Sequence, residues 1–330
     1  MKILGGFFIL FLGISSAWAA IDPQDLIAGP LRRFIDPAPF GVTEYRLESL
    51  PLEGSLASEK VYGYQWYSLM GGLRFRGFTS GASPAEKLDE ILGTRGTDHS
   101  IVRLERKKMG NVLFPWTGLC NSVADLHLAL ELPDHAVEAI GKNGNRVWLE
   151  PQDLHGIVAY ALKPQVETAP ILGLRCENGF GERKFCKGLN PASFHLMLAE
   201  HLGKKHDGLI IDADRFAAVN NLPVYSYRSV VSRIAADQDR DGHPLDVYQV
   251  DTLLELPVTV HPWSPSITTH ESRLEIYRYK LYIDPMTGKI LGGHWLSRAR
   301  PDFAWLPVCK KFEGDLAWLN ALVKWKCRAE

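Results

Sequence analysis

Apolar residues recur at helical spacing in the first half of the chain and gather into strand-like runs in the second half. The helical spacing predicts helices over 83–92, 120–130 and 151–162. Ser83 followed by Pro84 supplies an N-cap and a favoured first residue for the first of these helices. Runs rich in β-branched and aromatic residues predict strands over 146–149, 209–211, 224–231, 253–260 and 274–283.

The turn at 284–288 (DPMTG) separates two such runs and predicts a hairpin into 289–295. Helical spacing returns over 313–326. Helices that precede strands, rather than alternate with them, predict an α+β fold with helices packed on a mostly antiparallel sheet. The chain has no internal repeat and no low-complexity linker, so we expect a single domain.

The first 19 residues have the pattern of a secretory signal peptide. Met1-Lys2 precedes an apolar run over 3–14, which is followed by Ala17-Trp18-Ala19, a small-residue cleavage site. The run is too short to span a bilayer, and no later segment is a candidate. We therefore expect an exported protein, periplasmic or secreted, without stable membrane insertion after cleavage. The net charge of −1 gives no indication of a nucleic-acid partner.

Cysteine chemistry changes this picture, because five cysteines in an exported chain leave one thiol over if the others pair. The expected disulfides join neighbours along the chain, Cys176–Cys186 and Cys309–Cys327, although spacing alone does not fix connectivity. Cys120 is then the remaining thiol. It begins a predicted helix, where N–H groups and the helix dipole favour the reactive thiolate. A buried, inert cysteine is the alternative.

A cysteine nucleophile needs a base, and the base needs a group that orients it. His195 precedes an apolar run that we interpret as a strand, and Asp212 ends the predicted strand over 209–211. If the two strands are neighbours, the two side chains meet. Asp214 is the rival for the orienting role, and a structural role is the alternative for each residue.

Five ordered blocks between 114 and 307 carry further information. They are WTGLCN (116–121), EPQDL (150–154), LNPASFH (189–195), LIIDAD (209–214) with LPVYSYR (222–228), and DPMTGKILGGHW (284–295) with PDFAWLP (301–307). Together they resemble the transglutaminase elicitor family first described in plant-pathogenic oomycetes. The resemblance implies a papain-like fold and a triad of Cys120, His195 and Asp212. It divides the chain after the signal peptide into an N-terminal region (20–110), a family core (111–307) and a C-terminal helix (308–330).

The chain departs from this family in two places. A Trp that follows the family's Cys is absent, since Asn121-Ser122-Val123 stands there, and the choice of acyl donor is therefore open. The family's elicitor segment, Val-Trp-Asn-Gln-Pro-Val, is replaced by VNNLPV at 219–224. Elicitation of plant defence is therefore not carried over to this chain.

An acidic loop at 237–243 (DQDRDGH) is similar to the opening of a calcium loop, with Asp237, Asp239 and Asp241 at alternating positions. Tyr248 occupies the twelfth position, where a bidentate Glu belongs, so a solvated turn is the main interpretation and a partial calcium site the alternative. The triad requires no cofactor. Zinc-ligand spacing is absent from the sequence.

These observations predict a secreted protein-glutamine γ-glutamyltransferase with protein substrates that offer accessible glutamine and lysine. Cys120 is the expected nucleophile, His195 the base and Asp212 its orienting group. A cysteine peptidase or glutamine deamidase with the same residues is one alternative, and an inactive secreted binding protein is another. The sequence leaves the oligomeric state open.

Overall fold

The computed structural model describes residues 36–56, 72–74, 81–110, 118–174, 188–213, 220–238, 242–258 and 272–326. Five helices lie in these ranges: α1 (Pro84–Leu92), α2 (Ile101–Gly110), α3 (Cys120–Ala129), α4 (Pro151–Val166) and α5 (Pro191–Met197). Helix α5 continues as a π-helix over Leu198–Lys205. Short 3₁₀ helices cover Ala38–Phe40, Leu47–Ser49, Gly72–Arg74 and Gly314–Ala321.

Most of the strands follow α4 along the chain. They are β1 (Glu53–Ser55), β2 (Leu130–Glu131), β3 (Val137–Ile140), β4 (Arg146–Leu149), β5 (Leu172–Gly173), β6 (Leu209–Asp212), β7 (Asn221–Val224), β8 (Ser226–Gln238), β9 (Pro244–Pro257), β10 (Ser272–Ile283), β11 (Ile290–Trp295), β12 (Phe303–Trp305) and β13 (Lys324–Trp325).

Two larger sheets organise these strands. One has five strands in the order β1-β8-β9-β10-β11, and the other has four in the order β5-β12-β6-β7. Every strand pair in the described ranges is antiparallel. The expected mixture of helices and antiparallel sheet is thus confirmed.

Alternation of side chains fixes which face of β10 is buried. Tyr277, Tyr279 and Leu281 point into the core, whereas Ile276 and Arg278, which point to the opposite face, are exposed. Because successive side chains of a strand point to opposite faces, the face that carries these three residues is buried and the other face is exposed. Phe194 of α5 packs edge-on against Tyr277 and Tyr279, and these aromatic contacts attach α5 to the five-stranded sheet.

The predicted helix starts are confirmed where caps were read from the sequence. The Ser83 hydroxyl accepts from the backbone N–H of Glu86, whose carboxylate accepts from the N–H of Ser83, a complete capping box. Helix α4 begins with Pro151 after a second capping box, formed by Glu150 and Asp153. The predicted hairpin over the 284–288 turn is also confirmed, since β10 pairs with β11.

Two predicted elements differ from the structure. The interpretation of the segment after His195 as a strand is wrong: His195 lies inside α5, and helix continues to Lys205. The reason is local, because Asn190 caps the helix through Ala192 and Pro191 occupies its first position. The predicted C-terminal helix is also wrong in detail, since a 3₁₀ helix ends at Ala321 and Lys324–Trp325 pairs with β2.

Two glycines allow the π-helix to lie directly on β1. A Cβ on Gly54 would overlap the carbonyl of Leu202, and a Cβ on Gly203 would lie 2.8 Å from the Cβ of Pro51. Only glycine, which lacks a Cβ atom, therefore fits at these two positions without a shift of the surrounding atoms. This backbone contact covers β1, which is an edge of the five-stranded sheet.

Several predictions fall outside the described residues and stay predictions. These are the signal peptide, the Cys176–Cys186 disulfide, and the Cys327 end of the second disulfide. Cys309 is disulfide-bonded, but its partner is not among the described residues. Within the described ranges, no helix has the length and apolar character needed to cross a membrane.

Candidate active site

Cys120 is the first residue of α3, as the sequence predicts. It is a thiol rather than a disulfide, and its side chain is partly buried. Leu119 precedes it as the N-cap without a side-chain hydrogen bond to the helix. Within the first turn, the backbone N–H of Ser122 donates to the side-chain oxygen of Asn121 at 2.9 Å.

The sulfur accepts several hydrogen bonds from amide groups. The side-chain Nδ2 of Asn221 donates to Sγ at 3.2 Å. The backbone N–H groups of Asn221 and Asn121 also donate to Sγ. These donors come from the start of β7 and the start of α3, so the sulfur lies where a helix end meets a sheet.

Burial opposes ionisation of the Cys120 thiol. Burial raises the pKa of Cys120 above its usual range, and the nearby Asp212 carboxylate raises the pKa further, while hydrogen bonds from Asn221 and Asn121 lower it only partly. Desolvation thus opposes the thiolate that the helix end and these hydrogen bonds favour, and the reactivity of Cys120 stays a prediction.

Asp212 is the carboxylate beside the thiol. It ends β6, pairs in register with Asn221 of β7, and is 2% exposed. One oxygen, Oδ1, accepts from the backbone N–H of Asn220 at 2.7 Å. This bond closes the β6–β7 connection and holds the carboxylate at the same end of the sheet as Sγ. We call Cys120, Asp212 and Asn221 the thiol cluster.

His195 belongs to a different hydrogen-bonded group. Its Nδ1 is 2.8 Å from the hydroxyl of Tyr279, which is 2.8 Å from the hydroxyl of Thr252, which in turn is 2.8 Å from that of Ser229. We call these four residues the His195 network. The ring is fully buried, and burial lowers the pKa of His195 to about 4. Its Nε2 has no hydrogen-bond partner among the described residues.

The structure links two of the three predicted site residues through Asn221, which pairs in register with Asp212 and donates to Cys120 Sγ. Tyr279 occupies the position on His195 Nδ1 that a triad gives to its orienting carboxylate. No hydrogen bond joins His195 to Cys120 or Asp212 in the described chain. Asp214, the rival carboxylate, lies outside the described residues.

Sequence reasoning missed Asn221 and Tyr279. Asn221 lies in the segment over 219–224, which drew attention only as a departure from the elicitor sequence. Its contact with Cys120 spans 101 positions, so no local pattern signals it. Tyr279 follows the alternation of a buried strand and is indistinguishable from a core residue until the fold places His195 against its hydroxyl.

A second buried polar group connects α3 to α4. His127 of α3 meets His155 of α4 with 3.2 Å between their Nε2 atoms, and the hydroxyl of Tyr225 is 3.3 Å from His127 Nδ1. Burial lowers the pKa of His155 to about 4 and the pKa of His127 well below its usual range. Both rings are therefore neutral at physiological pH, as expected for polar groups that join two packed helices.

Metal ligands do not converge in the described part of the chain. No group of three or more His, Cys, Asp or Glu side chains there could hold an ion. Asp237 lies near the end of β8, and Asp239 and Asp241 are outside the described residues. The partial calcium site therefore stays a prediction.

The helices and the antiparallel sheets form a fold similar to that of a transglutaminase. The structure is similar to the crystal structure of the GP42 transglutaminase from Phytophthora sojae, with a TM-score of 0.59, 18% sequence identity, and coverage of 83% of this chain and 89% of that one. No family model and no curated protein matches the sequence. The resemblance to the oomycete transglutaminase family is confirmed at the level of the fold.

Proposed function

We propose that this protein is a protein-glutamine γ-glutamyltransferase whose nucleophile is the Cys120 thiol. The observation that carries the proposal is the position of Cys120, at the start of α3 within a transglutaminase-like fold, with amide donors on its sulfur. A sulfur surrounded by donors can develop negative charge during attack and share those donors with a reacting carbonyl.

The reaction has two halves. In the first, Sγ attacks the side-chain carboxamide carbon of a protein glutamine, the C–N bond breaks, and ammonia leaves with the proton taken from the thiol. In the second, the amine of a lysine attacks the resulting thioester, the C–S bond breaks, and the thiol regains a proton from that amine. The product is an isopeptide bond. Water in place of the amine gives glutamate, which is the deamidase alternative.

We assign the proton transfers to Asp212 rather than to His195. Asp212 pairs with Asn221, whose side chain contacts the thiol, whereas His195 is held by Tyr279 within the aromatic contacts between α5 and β10. Asp212 then accepts the proton as the sulfur attacks and delivers it to the leaving ammonia. In this assignment His195 supports the sheet, and the triad with His195 as base is the competing assignment.

The proposal also covers the location of the protein and its substrates. An exported enzyme of this kind acts on periplasmic or extracellular proteins that present glutamine and lysine at their surfaces. The papain-like relationship and the partial calcium site belong to the same proposal. Addition of a calcium chelator to the assay below tests the second of these directly.

The experiment is incubation of the purified protein with a labelled primary amine and a glutamine-rich acceptor protein, followed by mass spectrometry. We expect the amine on glutamine side chains, with no adduct when Cys120→Ala replaces the wild type. Glutamate without adduct indicates deamidation, and new peptide ends indicate a peptidase. An acceptor that is unchanged across several acceptor proteins overturns the enzymatic proposal and favours a binding protein.

A further inference from the structure

Asn221 has a polar atom that the resting structure leaves unsatisfied. Its side chain is buried, with 3% of the residue exposed, and Nδ2 donates to Cys120 Sγ. Its carbonyl oxygen, Oδ1, has no hydrogen-bond partner among the described residues. A buried acceptor without a donor costs free energy, so such an atom in a folded protein calls for a functional explanation.

The position of that atom points toward the reacting substrate. Oδ1 and Nδ2 share one carbon atom, so the oxygen lies next to the group that already touches the sulfur. A carboxamide carbon that bonds to Sγ brings its own oxygen and nitrogen to the same place. The resting thiol offers Oδ1 no strong donor, whereas a carboxamide NH2 does.

We propose that the Asn221 amide recognises the carboxamide of the substrate, with Nδ2 donating to its oxygen and Oδ1 accepting from its NH2 group. This inference rests on the proposed reaction at Cys120 and identifies a residue that selects the substrate class. The two amides are complementary, because each supplies one donor and one acceptor. Nδ2 moves from the sulfur to the developing oxyanion as the C–S bond forms.

The place of Asn221 in the fold suits this role. It begins β7 and pairs in register with Asp212, so the proton acceptor and the recognising amide lie on adjacent strands. Its backbone N–H also donates to Sγ, which keeps the residue against the sulfur when the side chain turns to the substrate. A site with a buried acceptor discriminates against substrates that lack the matching donor.

The test compares two acyl donors on one peptide, a glutamine and the matching glutamate γ-methyl ester. Both give the same product with a labelled amine, but only the glutamine has an NH2 group for Oδ1. For Asn221→Ala we expect turnover of both donors to fall, by about 10²–10³-fold for the glutamine because an oxyanion donor is lost. The glutamine-to-ester ratio of kcat/KM is expected to fall a further tenfold or so, as the acceptor is lost too.

Two further variants make the result decisive. Asn221→Asp has nearly the same shape and keeps an acceptor but not the donor, so both donors slow while their ratio stays closer to that of the wild type. Asn145→Ala removes a surface amide that bonds Glu90 and serves as the matched control, with unchanged kinetics expected. Thermal melting of each variant verifies that it is folded.

The outcomes separate the two proposals. A wild type that uses neither donor overturns the proposed reaction, and this inference with it. An active wild type whose glutamine-to-ester ratio is unaltered in a folded Asn221→Ala overturns this inference alone. Equal losses on both donors reduce Asn221 to an oxyanion donor and also overturn recognition of the NH2 group.

Discussion

The thiol cluster and the His195 network are both buried, yet they hold their polar atoms differently. In the His195 network four residues form one chain of hydrogen bonds across the sheet. In the thiol cluster three amide groups converge on one sulfur, and a carboxylate lies beside them. The first arrangement fixes side chains to one another, whereas the second concentrates donors on one reactive atom.

Burial shifts the pKa values of the key groups in the two regions in opposite directions, and both shifts favour the uncharged form. It raises the pKa of the Cys120 thiol and lowers the pKa of the His195 ring to about 4, so it opposes the charged form of both groups. Both shifts act against a thiolate–imidazolium pair. Under the proposed function, the thiol cluster is the reactive region and the His195 network is a supporting one, and each of the following changes tests that division.

Removal of the sulfur has the largest expected effect. In Cys120→Ala we expect amine transfer to be lost completely, while the fold is retained because Cys120 is only partly buried. Mass spectrometry of the labelled acceptor and a thermal melt measure the two quantities. Activity in a folded Ala variant contradicts every assignment based on the thiol cluster.

Removal of the Asp212 carboxylate is expected to change the turnover rate and the alkylation rate of Cys120 in opposite directions. In Asp212→Asn we expect turnover to fall by about 10²–10⁴-fold, as for loss of a general base. Alkylation of Cys120 by iodoacetamide is expected to become faster at fixed pH, because Asp212 raises the thiol pKa and its removal lowers that pKa.

Asp214→Asn is the matched control for Asp212→Asn and is expected to cost much less. Slower alkylation in Asp212→Asn contradicts the charge relationship described above. A larger loss in Asp214→Asn shows that the wrong carboxylate has been chosen.

Acid stability tests the His195 network. The pKa of His195 is about 4 in the folded protein against 6.5 for an ordinary imidazole, so the unfolded chain binds more protons between these values. The contribution is fully present above pH 6.5 and is lost as the pH falls toward 4, on the order of 3 kcal/mol. Urea unfolding across this range is expected to show a shallower loss for His195→Gln than for the wild type.

His155 has the same shift and serves as an internal comparison, because its share of the acid loss persists in His195→Gln. Turnover of the His195→Gln variant at neutral pH decides between the competing assignments. A loss of turnover comparable to that of Asp212→Asn, with an unchanged acid profile, restores His195 as the base.

The smallest expected effect comes from one hydroxyl. Tyr279→Phe keeps the ring against Phe194 and Trp295 but removes the hydroxyl that contacts His195 Nδ1, and it leaves the Thr252 hydroxyl with Ser229 alone. We expect a loss of about 1–3 kcal/mol in the free energy of unfolding, with turnover per folded molecule unchanged.

Tyr248→Phe is the control for Tyr279→Phe, since its hydroxyl makes no hydrogen bond among the described residues and its loss leaves stability unaltered. If Tyr279→Phe slows turnover without lowering stability, the His195 network takes part in catalysis and the division between the two regions fails.

Local signals account for most of what the sequence predicted correctly. The cap at Ser83, the helix that begins at Pro151, the 284–288 turn and the start of α3 at Cys120 each depend on a few neighbouring residues. The error after His195 has the same origin, since Asn190-Pro191 is a helix start of the same kind and was read only as part of a motif.

The composition of the thiol cluster was beyond local reasoning. Sulfur and amide meet across 101 positions, and His195 meets Tyr279 across 84. The direction of the thiol pKa also depends on burial by β6 and β7, which outweighs the helix end that the sequence reveals. Proximity in the fold, rather than residue type, separates Asn221 from the other asparagines.

The contact between Gly54 and Gly203 has a consequence for how distant relatives are recognised. A side chain at Gly54 would meet the backbone of the π-helix, and one at Gly203 would meet Pro51 and the hydroxyl of Tyr227, so a chain that shares this architecture needs glycine at both places or a compensating shift of the backbone. The pair lies 149 positions apart and neither glycine belongs to the thiol cluster or the His195 network, so it is an independent signature. A search that requires both glycines together with a cysteine at a helix start selects chains by architecture even where their motifs have diverged.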